Sequence, residues 1–75
     1  MDKVFYAFPE AVPVHIAARA YLEAEGWDGG VQHYIDIKKV IAENEEVFIP
    51  RWMAVKLMKK FGGEMHEMPA AGAVT

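Results

Sequence analysis

The chain has 75 residues, 53% of them hydrophobic, and contains no cysteine. This length allows one small domain with a marginal core, because a domain of this size buries only about 60% of the surface that its unfolded chain exposes. Disulfides and thiolate metal sites are excluded, and no apolar run approaches the roughly 20 residues of a membrane-spanning helix. Since the N-terminus also lacks the pattern of a signal peptide, we expect a soluble cytoplasmic protein.

Charge is unevenly distributed along the chain, which has a formal net charge of −3. Residues 1–36 contain two basic and six acidic side chains, whereas residues 37–61 contain six basic and three acidic ones. One acidic and one basic surface would favour head-to-tail contacts or a charged partner. The alternative is a mixed surface in which folding intermingles the two signs.

The first predicted elements are a strand and a helix. Residues 3–8, KVFYAF, are aromatic and β-branched and end before Pro9, which is typical of a strand. Pro13 fits only the first turn of a helix, because proline lacks an amide hydrogen and clashes with the preceding turn. Apolar residues follow at helical spacing from Val14, and Gly26 is the expected end of this helix.

Two interpretations fit the middle of the chain, after the turn predicted for WDGG at residues 27–30. Apolar and polar residues alternate over residues 31–36 as in a strand, and helical spacing follows over residues 37–43. We therefore predict a strand followed by a short helix. A single helix over residues 31–43 is the alternative, because short apolar runs fit both periods.

Three elements are predicted for the C-terminal half. VFI at residues 47–49 is a short strand, Pro50 begins a helix that ends at FGG, and EMHEM at residues 64–68 is an edge strand. Residues 69–75 have little apolar surface to bury and are predicted to form a flexible tail. The predicted fold class is a single small α+β domain over residues 1–68. Its short, mostly antiparallel sheet of three to four strands is covered by two to three helices.

The helix predicted from Arg51 to Phe61 has two different sides. One side carries an apolar stripe that is the expected core face: Met53, Ala54, Leu57, Met58 and Phe61. The other side carries the first candidate partner-binding group: Trp52, Lys56, Lys59 and Lys60. Three interpretations are open: a buried Trp52 with lysine stems packed beside it, a protein-binding surface, or a nucleic-acid surface that stacks on bases.

A second candidate partner-binding group is acidic and precedes this helix: Glu43, Glu45 and Glu46. The negative net charge weighs against nucleic acid, because non-specific binding depends on counterion release by cationic side chains. A helix-turn-helix formed by residues 37–43 and 50–61 is disfavoured as well, since the joint between them is acidic and contains no glycine.

Catalysis and metal binding have no clear pattern in the sequence. There is no serine, and Thr75 is the only threonine, so a hydroxyl or thiol nucleophile is not expected. The three histidines lack the spacing of common metal sites. An acid–base pair of His33 with Asp36, and a metal held by Glu64 and His66, are weaker alternatives. We expect a non-enzymatic protein with no cofactor and no metal.

Residues 56–68, KLMKKFGGEMHEM, resemble the helix, double glycine and short strand in the N-terminal dimerisation part of the middle-operon activators of Mu-like phages. The YIP sequence that follows the glycines in that family is absent here, and these 75 residues do not include the family's DNA-binding domain. The resemblance implies a phage or mobile-element context and dimerisation.

Together these patterns predict a small protein-binding module that acts as a phage or mobile-element accessory or inhibitory protein, with a homodimer as one assembly. Its expected partner is another protein with a charged surface, contacted through Trp52 and the neighbouring lysines. The alternative function is a transcriptional regulator that binds nucleic acid through the basic helix at residues 50–61. No membrane partner is expected.

Overall fold

The computed structural model describes residues 2–68, which form a three-stranded antiparallel sheet and three helices. The elements are β1 (Lys3–Ala7), α1 (Val14–Glu25), α2 (Val31–Glu43), β2 (Val47–Pro50), α3 (Arg51–Phe61) and β3 (Glu64–His66). The predicted small α+β fold is confirmed, and β2 and β3 lie where the sequence predicts strands. The tail predicted for residues 69–75 lies outside the described residues.

The sheet has β1 in its centre, with β2 on one edge and β3 on the other. Tyr6 of β1 lies opposite Val47 of β2 and Met65 of β3. Its neighbour Phe5 lies opposite Phe48 of β2, and the centroids of these two rings are 4.6 Å apart. Because side chains alternate between the faces of a strand, Tyr6 and Phe5 lie on opposite faces. The face with Tyr6 belongs to the hydrophobic core.

Helix α3 covers the core face of the sheet, and α1 packs against α3. The core cluster combines residues from both layers: Val4, Tyr6, Ala20, Val47, Ile49, Met53, Ala54 and Leu57. The apolar stripe predicted within residues 51–61 is confirmed as the core face of α3, with Met58 and Phe61 partly buried at its margin. The core therefore depends on the helical spacing of α3 and on the alternation of β1 and β2.

The ends of α1 lie at the residues that the sequence singles out. Pro13 precedes the first turn, where its missing amide hydrogen leaves no helical hydrogen bond unmade. Gly26 ends the helix in the left-handed conformation, with a φ of 84°. Its N–H donates to the carbonyl of Glu23 at 3.2 Å, so the last turn closes before the chain leaves the helix.

The strand predicted for residues 31–36 is wrong, because the single helix α2 spans this segment. A main-chain hydrogen bond runs from the N–H of Tyr34 to the carbonyl of Gly30, so the helix begins directly after the WDGG turn. Tyr34, Ile37 and Ile41 are half-buried at helical spacing, and α2 packs against α1. No strand within residues 2–68 pairs with this segment. No residue of α2 is fully buried, so the helix lies at the periphery of the fold.

The helix-turn-helix alternative is not realised, since β2 lies between α2 and α3. Pairing of β2 with β1 fixes the start of α3 relative to the sheet. Helix α2 instead packs against α1.

Tyr6 is fully buried, and its hydroxyl donates a hydrogen bond to the carbonyl of Gly62 at 2.7 Å. Its ring makes an edge-on contact with the ring of Phe8, with the centroids 4.9 Å apart. Burial disfavours the phenolate and raises the pKa of Tyr6 to about 12. In its neutral form this side chain joins β1 to the residue that follows α3.

We expect the free energy of unfolding to fall as the pH rises above 10, because Tyr6 ionises near pH 10 in the unfolded chain and near pH 12 in the folded protein. Below pH 10 Tyr6 is protonated in both the folded and the unfolded chain, so its contribution to the free energy of unfolding is fully present there. Urea unfolding at several pH values measures the loss. In Tyr6→Phe this alkaline fall should be absent. At neutral pH the free energy of unfolding of this variant should be about 1 kcal/mol lower, because the hydrogen bond to Gly62 is missing. An equally steep alkaline loss in Tyr6→Phe would contradict the assignment.

Candidate partner-binding surface

Trp52 lies on the outer side of α3 and is 55% exposed to solvent. Strand β2 leads directly into α3 through Pro50, so the pairing of β2 with β1 fixes where the first turn begins. Helical spacing then directs Trp52 away from the buried side that carries Met53 and Leu57. The interpretation in which Trp52 is buried beneath the first strand or the WDGG turn is therefore wrong.

Four residues at i, i+3, i+4 and i+7 form one exposed stripe along α3, which we call the Trp52 surface: Trp52, Val55, Lys56 and Lys59. Together with Asp2 and Arg51 they border an open depression of about 640 Å³. The stripe combines an aromatic ring, a branched aliphatic side chain and two ammonium groups within about two helical turns.

Arg51 stands at the rim of this depression and is held by two carboxylates. Its Nε donates to Oδ2 of Asp2 at 2.8 Å, and its Nη2 donates to Oε1 of Glu67. The main-chain N–H of Arg51 also donates to the carbonyl of Asp2 at 3.0 Å. These hydrogen bonds, to Asp2 first and to Glu67 second, raise the pKa of Arg51. Because the guanidinium is engaged, Arg51 organises the rim and does not offer a free charge.

The positive charge of the Trp52 surface comes from Lys56 and Lys59. Neither of them forms an ion pair with any residue from 2 to 68. Lys60 lies elsewhere, because its Nζ is 5.6 Å from the ring centroid of Phe61 and it borders a separate recess beside α1 that Lys56 also reaches. The structure thus brings Trp52, Lys56 and Lys59 together and leaves Lys60 at their margin.

Val55 belongs to this surface but is not among the partner-binding residues predicted from the sequence. It follows Trp52 by three positions, and residues at that separation are neighbours on the surface of a helix. Helical spacing therefore could have predicted that Val55 lies on this surface. It could not have predicted the contacts of Arg51, because Asp2 and Glu67 are 49 and 16 residues away in the sequence.

The acidic candidate residues separate into two groups. Glu43 and Glu45 are exposed at the junction between α2 and β2. The side chain of Glu46 is only 2% exposed, and its Oε2 lies 3.3 Å from Nε2 of His66. This contact reaches over the central strand, from the residue that precedes β2 to β3. Glu46 therefore belongs to the internal contacts of the domain, whereas Glu43 and Glu45 face solvent.

Two of the three histidines, His33 and His66, lie near acidic side chains. His33 lies 3.8 Å from Glu25, and His66 lies near Glu64 as well as Glu46. Within residues 2–68, no group of three or more histidine, aspartate or glutamate side chains is placed to hold a metal ion. In the same part of the chain, the helices are too short or too polar to cross a membrane.

Comparisons with protein-family models, with curated proteins and with solved structures find no match for this chain. What the chain binds is therefore inferred from the geometry of the Trp52 surface. That geometry consists of an exposed ring, an adjoining aliphatic side chain and two lysines without ion pairs among residues 2–68.

Proposed function

We propose that this protein is a non-enzymatic protein-binding module that contacts its partner through the Trp52 surface. The observation that carries the proposal is the exposure of Trp52 beside Val55, in a depression bordered by Lys56 and Lys59. Tryptophan is enriched among the residues that dominate binding energies at protein interfaces. A cytoplasmic location and an accessory or inhibitory role in a phage or mobile element are part of the proposal, supported by the cysteine-free sequence and the resemblance at residues 56–68.

Covering Trp52 would supply most of the binding energy. A fully covered aromatic side chain buries about 150–250 Å². Trp52 is 55% exposed in the free protein, so a partner can cover about half of such an area, at about 25 cal/mol per Å². Val55 extends the apolar area, while the lysine stems flank it and keep their ammonium groups in water. A partner that presents apolar side chains together with carboxylates would match both parts of the surface.

Protein binding is favoured over nucleic-acid binding by the charges around the depression. Arg51 is engaged by Asp2 and Glu67, so the cations that remain on the surface are Lys56 and Lys59. Affinity for nucleic acid increases with the number of phosphates that a protein neutralises. Two lysines beside two carboxylates, on a chain with a net charge of −3, would give weak binding of this kind.

Trp52→Ala combined with Lys56→Glu is expected to weaken partner binding at least about 30-fold, because the loss of a central tryptophan costs about 2 kcal/mol or more. Affinity purification from the native host with mass spectrometry identifies the partner, and titration of the purified partner gives the Kd. As a matched control, Val31→Ala with Lys39→Glu changes an exposed aliphatic residue and an exposed lysine on α2. The control should keep the Kd of the wild type.

Unchanged partner binding by a folded Trp52→Ala/Lys56→Glu variant would overturn the proposal. Circular dichroism and urea unfolding establish whether the variant is folded. A salt titration with random-sequence DNA and RNA tests the alternative function. Binding at low salt that this variant loses would assign the surface to nucleic acid instead.

A further inference from the structure

A groove separates the C-terminal half of α2 from strand β2, and we call it the α2–β2 groove. It has a volume of about 300 Å³. Seven apolar or aromatic side chains line it, among them Tyr21, Ile37, Val40 and Phe48, together with the polar residues Asn44 and Glu46. The groove exists because α2 packs against α1 and buries none of its residues completely. Val40 and Phe48 line it from α2 and from β2, and they are 45% and 54% exposed.

The junction beside this groove is acidic. Glu43 and Glu45 are exposed there, between Val40 and Phe48 in the chain. Neither carboxylate forms an ion pair with any residue from 2 to 68. Glu46 lines the groove, and its Oε2 lies 3.3 Å from Nε2 of His66. Lys3 is nearby, with its Nζ 5.6 Å from the ring centroid of Phe48, so the negative charges of Glu43 and Glu45 exceed the positive charge of Lys3.

We infer that the α2–β2 groove receives Trp52 from a second copy of this chain. The inference rests on the proposed function, since it names the second copy as the partner of the Trp52 surface. One surface presents an exposed ring beside two lysines. The other is a mainly apolar groove, and the exposed Glu43 and Glu45 flank its lining residue Asn44 in the chain. Because every copy carries both surfaces, two copies complete the contact.

Size and charge both support this contact. A groove of about 300 Å³ is at the lower limit of ligand-binding pockets and has room for one large side chain. Lys56 and Lys59 follow Trp52 by about one and two turns of α3, so their ammonium groups accompany an inserted ring. An ion pair at an exposed rim contributes only about 0–1 kcal/mol. The ring therefore supplies most of the affinity, and the charges select the orientation.

The contact joins two different surfaces, so its geometry determines the size of the assembly. Copies joined in this way form a closed ring or an open chain, and a reciprocal pair is the smallest closed form. Self-association is therefore expected to increase with protein concentration and to weaken with salt, which screens the charges at the rim.

Charge reversal tests the inference by analytical ultracentrifugation. The variants Lys56→Glu/Lys59→Glu and Glu43→Lys/Glu45→Lys should each weaken self-association at least about 10-fold, because each places like charges on both sides of the contact. An equimolar mixture of the two variants should associate again, since every basic surface then meets an acidic one. Lys38→Glu/Lys39→Glu makes the same change of charge outside both surfaces and should associate like the wild type.

Fluorescence reports whether the ring of Trp52 enters the groove. The chain has two tryptophans, so Trp27→Phe leaves Trp52 as the only one. As the concentration of this variant increases, its emission should shift to shorter wavelength because the ring leaves water. Adding Phe48→Ala, which removes a side chain of the groove, should shift this transition to higher concentration.

A wild-type protein that stays monomeric up to about 1 mM would overturn the inference. So would charge-reversed variants that fail to associate when mixed, or self-association that none of the reversals weakens. If the protein is monomeric and Trp52→Ala/Lys56→Glu still loses a partner from the host, the proposed function stands while the inference falls. The two failures are therefore distinguishable.

Discussion

Replacing Gly63 with alanine is expected to lower the free energy of unfolding by about 3 kcal/mol or more, from overpacking and backbone strain together. A Cβ atom at this position would lie 2.3 Å from the carbonyl oxygen of Ala7 and 2.9 Å from the hydroxyl of Tyr6. The carbonyl belongs to the central strand, which cannot move without disturbing its pairing with β3. The φ of +91° adds strain for any residue that has a side chain.

Gly26→Ala is the matched control for this substitution. Gly26 also has a positive φ, of 84°, but a Cβ there would meet no atom within 4 Å. Gly26→Ala should lower the free energy of unfolding by only about 1 kcal/mol, because the left-handed backbone is the only source of strain there. Urea unfolding of both variants gives the two free energies, and equal losses would contradict a close approach of Gly63 to β1.

Gly63→Ala is also expected to affect the Trp52 surface. Gly63 leads into β3, and Glu67 shortly after β3 accepts the hydrogen bond from Arg51 at the rim of the depression. A displaced β3 would carry Glu67 away from Arg51 and change the charge at that rim. Stability and the shape of the candidate site are therefore linked through one glycine.

The requirement for Gly63 could not be predicted from the sequence. The letters FGG predict the end of α3, and α3 does end at Phe61. However, the reason that Gly63 must be glycine is the carbonyl of Ala7, which approaches it from the opposite end of the chain. Contacts of this kind are created by folding and leave no local signal.

Most other element boundaries were predictable because their causes are local. Pro13, Gly26 and Pro50 each act within about one turn of their own position, so the sequence shows their effect directly. The strand prediction at residues 31–36 is wrong because the deciding cause is not local. The spacing of apolar residues in that segment fits both a strand and a helix, and packing of α2 against α1 decides between the two.

The candidate site was predictable in its composition and not in its exposure. Helical spacing divides α3 into two sides, but it does not tell whether another element covers the outer side. Trp52 is exposed because the described part of the fold places no element over it. Glu46 is the opposite case, because it was predicted to lie at a binding surface but is nearly buried. Its side chain contacts His66 of β3, and the sequence does not show this contact.

Ile49→Ala should lower the free energy of unfolding by about 2–5 kcal/mol, whereas Ile35→Ala should lower it by less than about 1 kcal/mol. Ile49 is 1% exposed on the core face of β2, so its truncation leaves a cavity against α3. Ile35 lies on α2 and is 49% exposed, so its truncation removes less buried apolar surface and leaves no closed cavity. Alanine also favours the helix at position 35, which offsets part of the loss. Urea unfolding of the two variants measures the difference.

Losses of similar size at the two positions would mean that α2 contributes to the core as much as β2 does. Native-state hydrogen exchange provides an independent measurement, because segments with few buried contacts open at lower free energy. The amides of α2 should exchange at lower free energy than those of β1, whose residues Val4 and Tyr6 are fully buried. A second copy in the α2–β2 groove would cover Val40 and hold α2 in place. The protection of α2 should then increase with protein concentration, while that of β1 follows global unfolding.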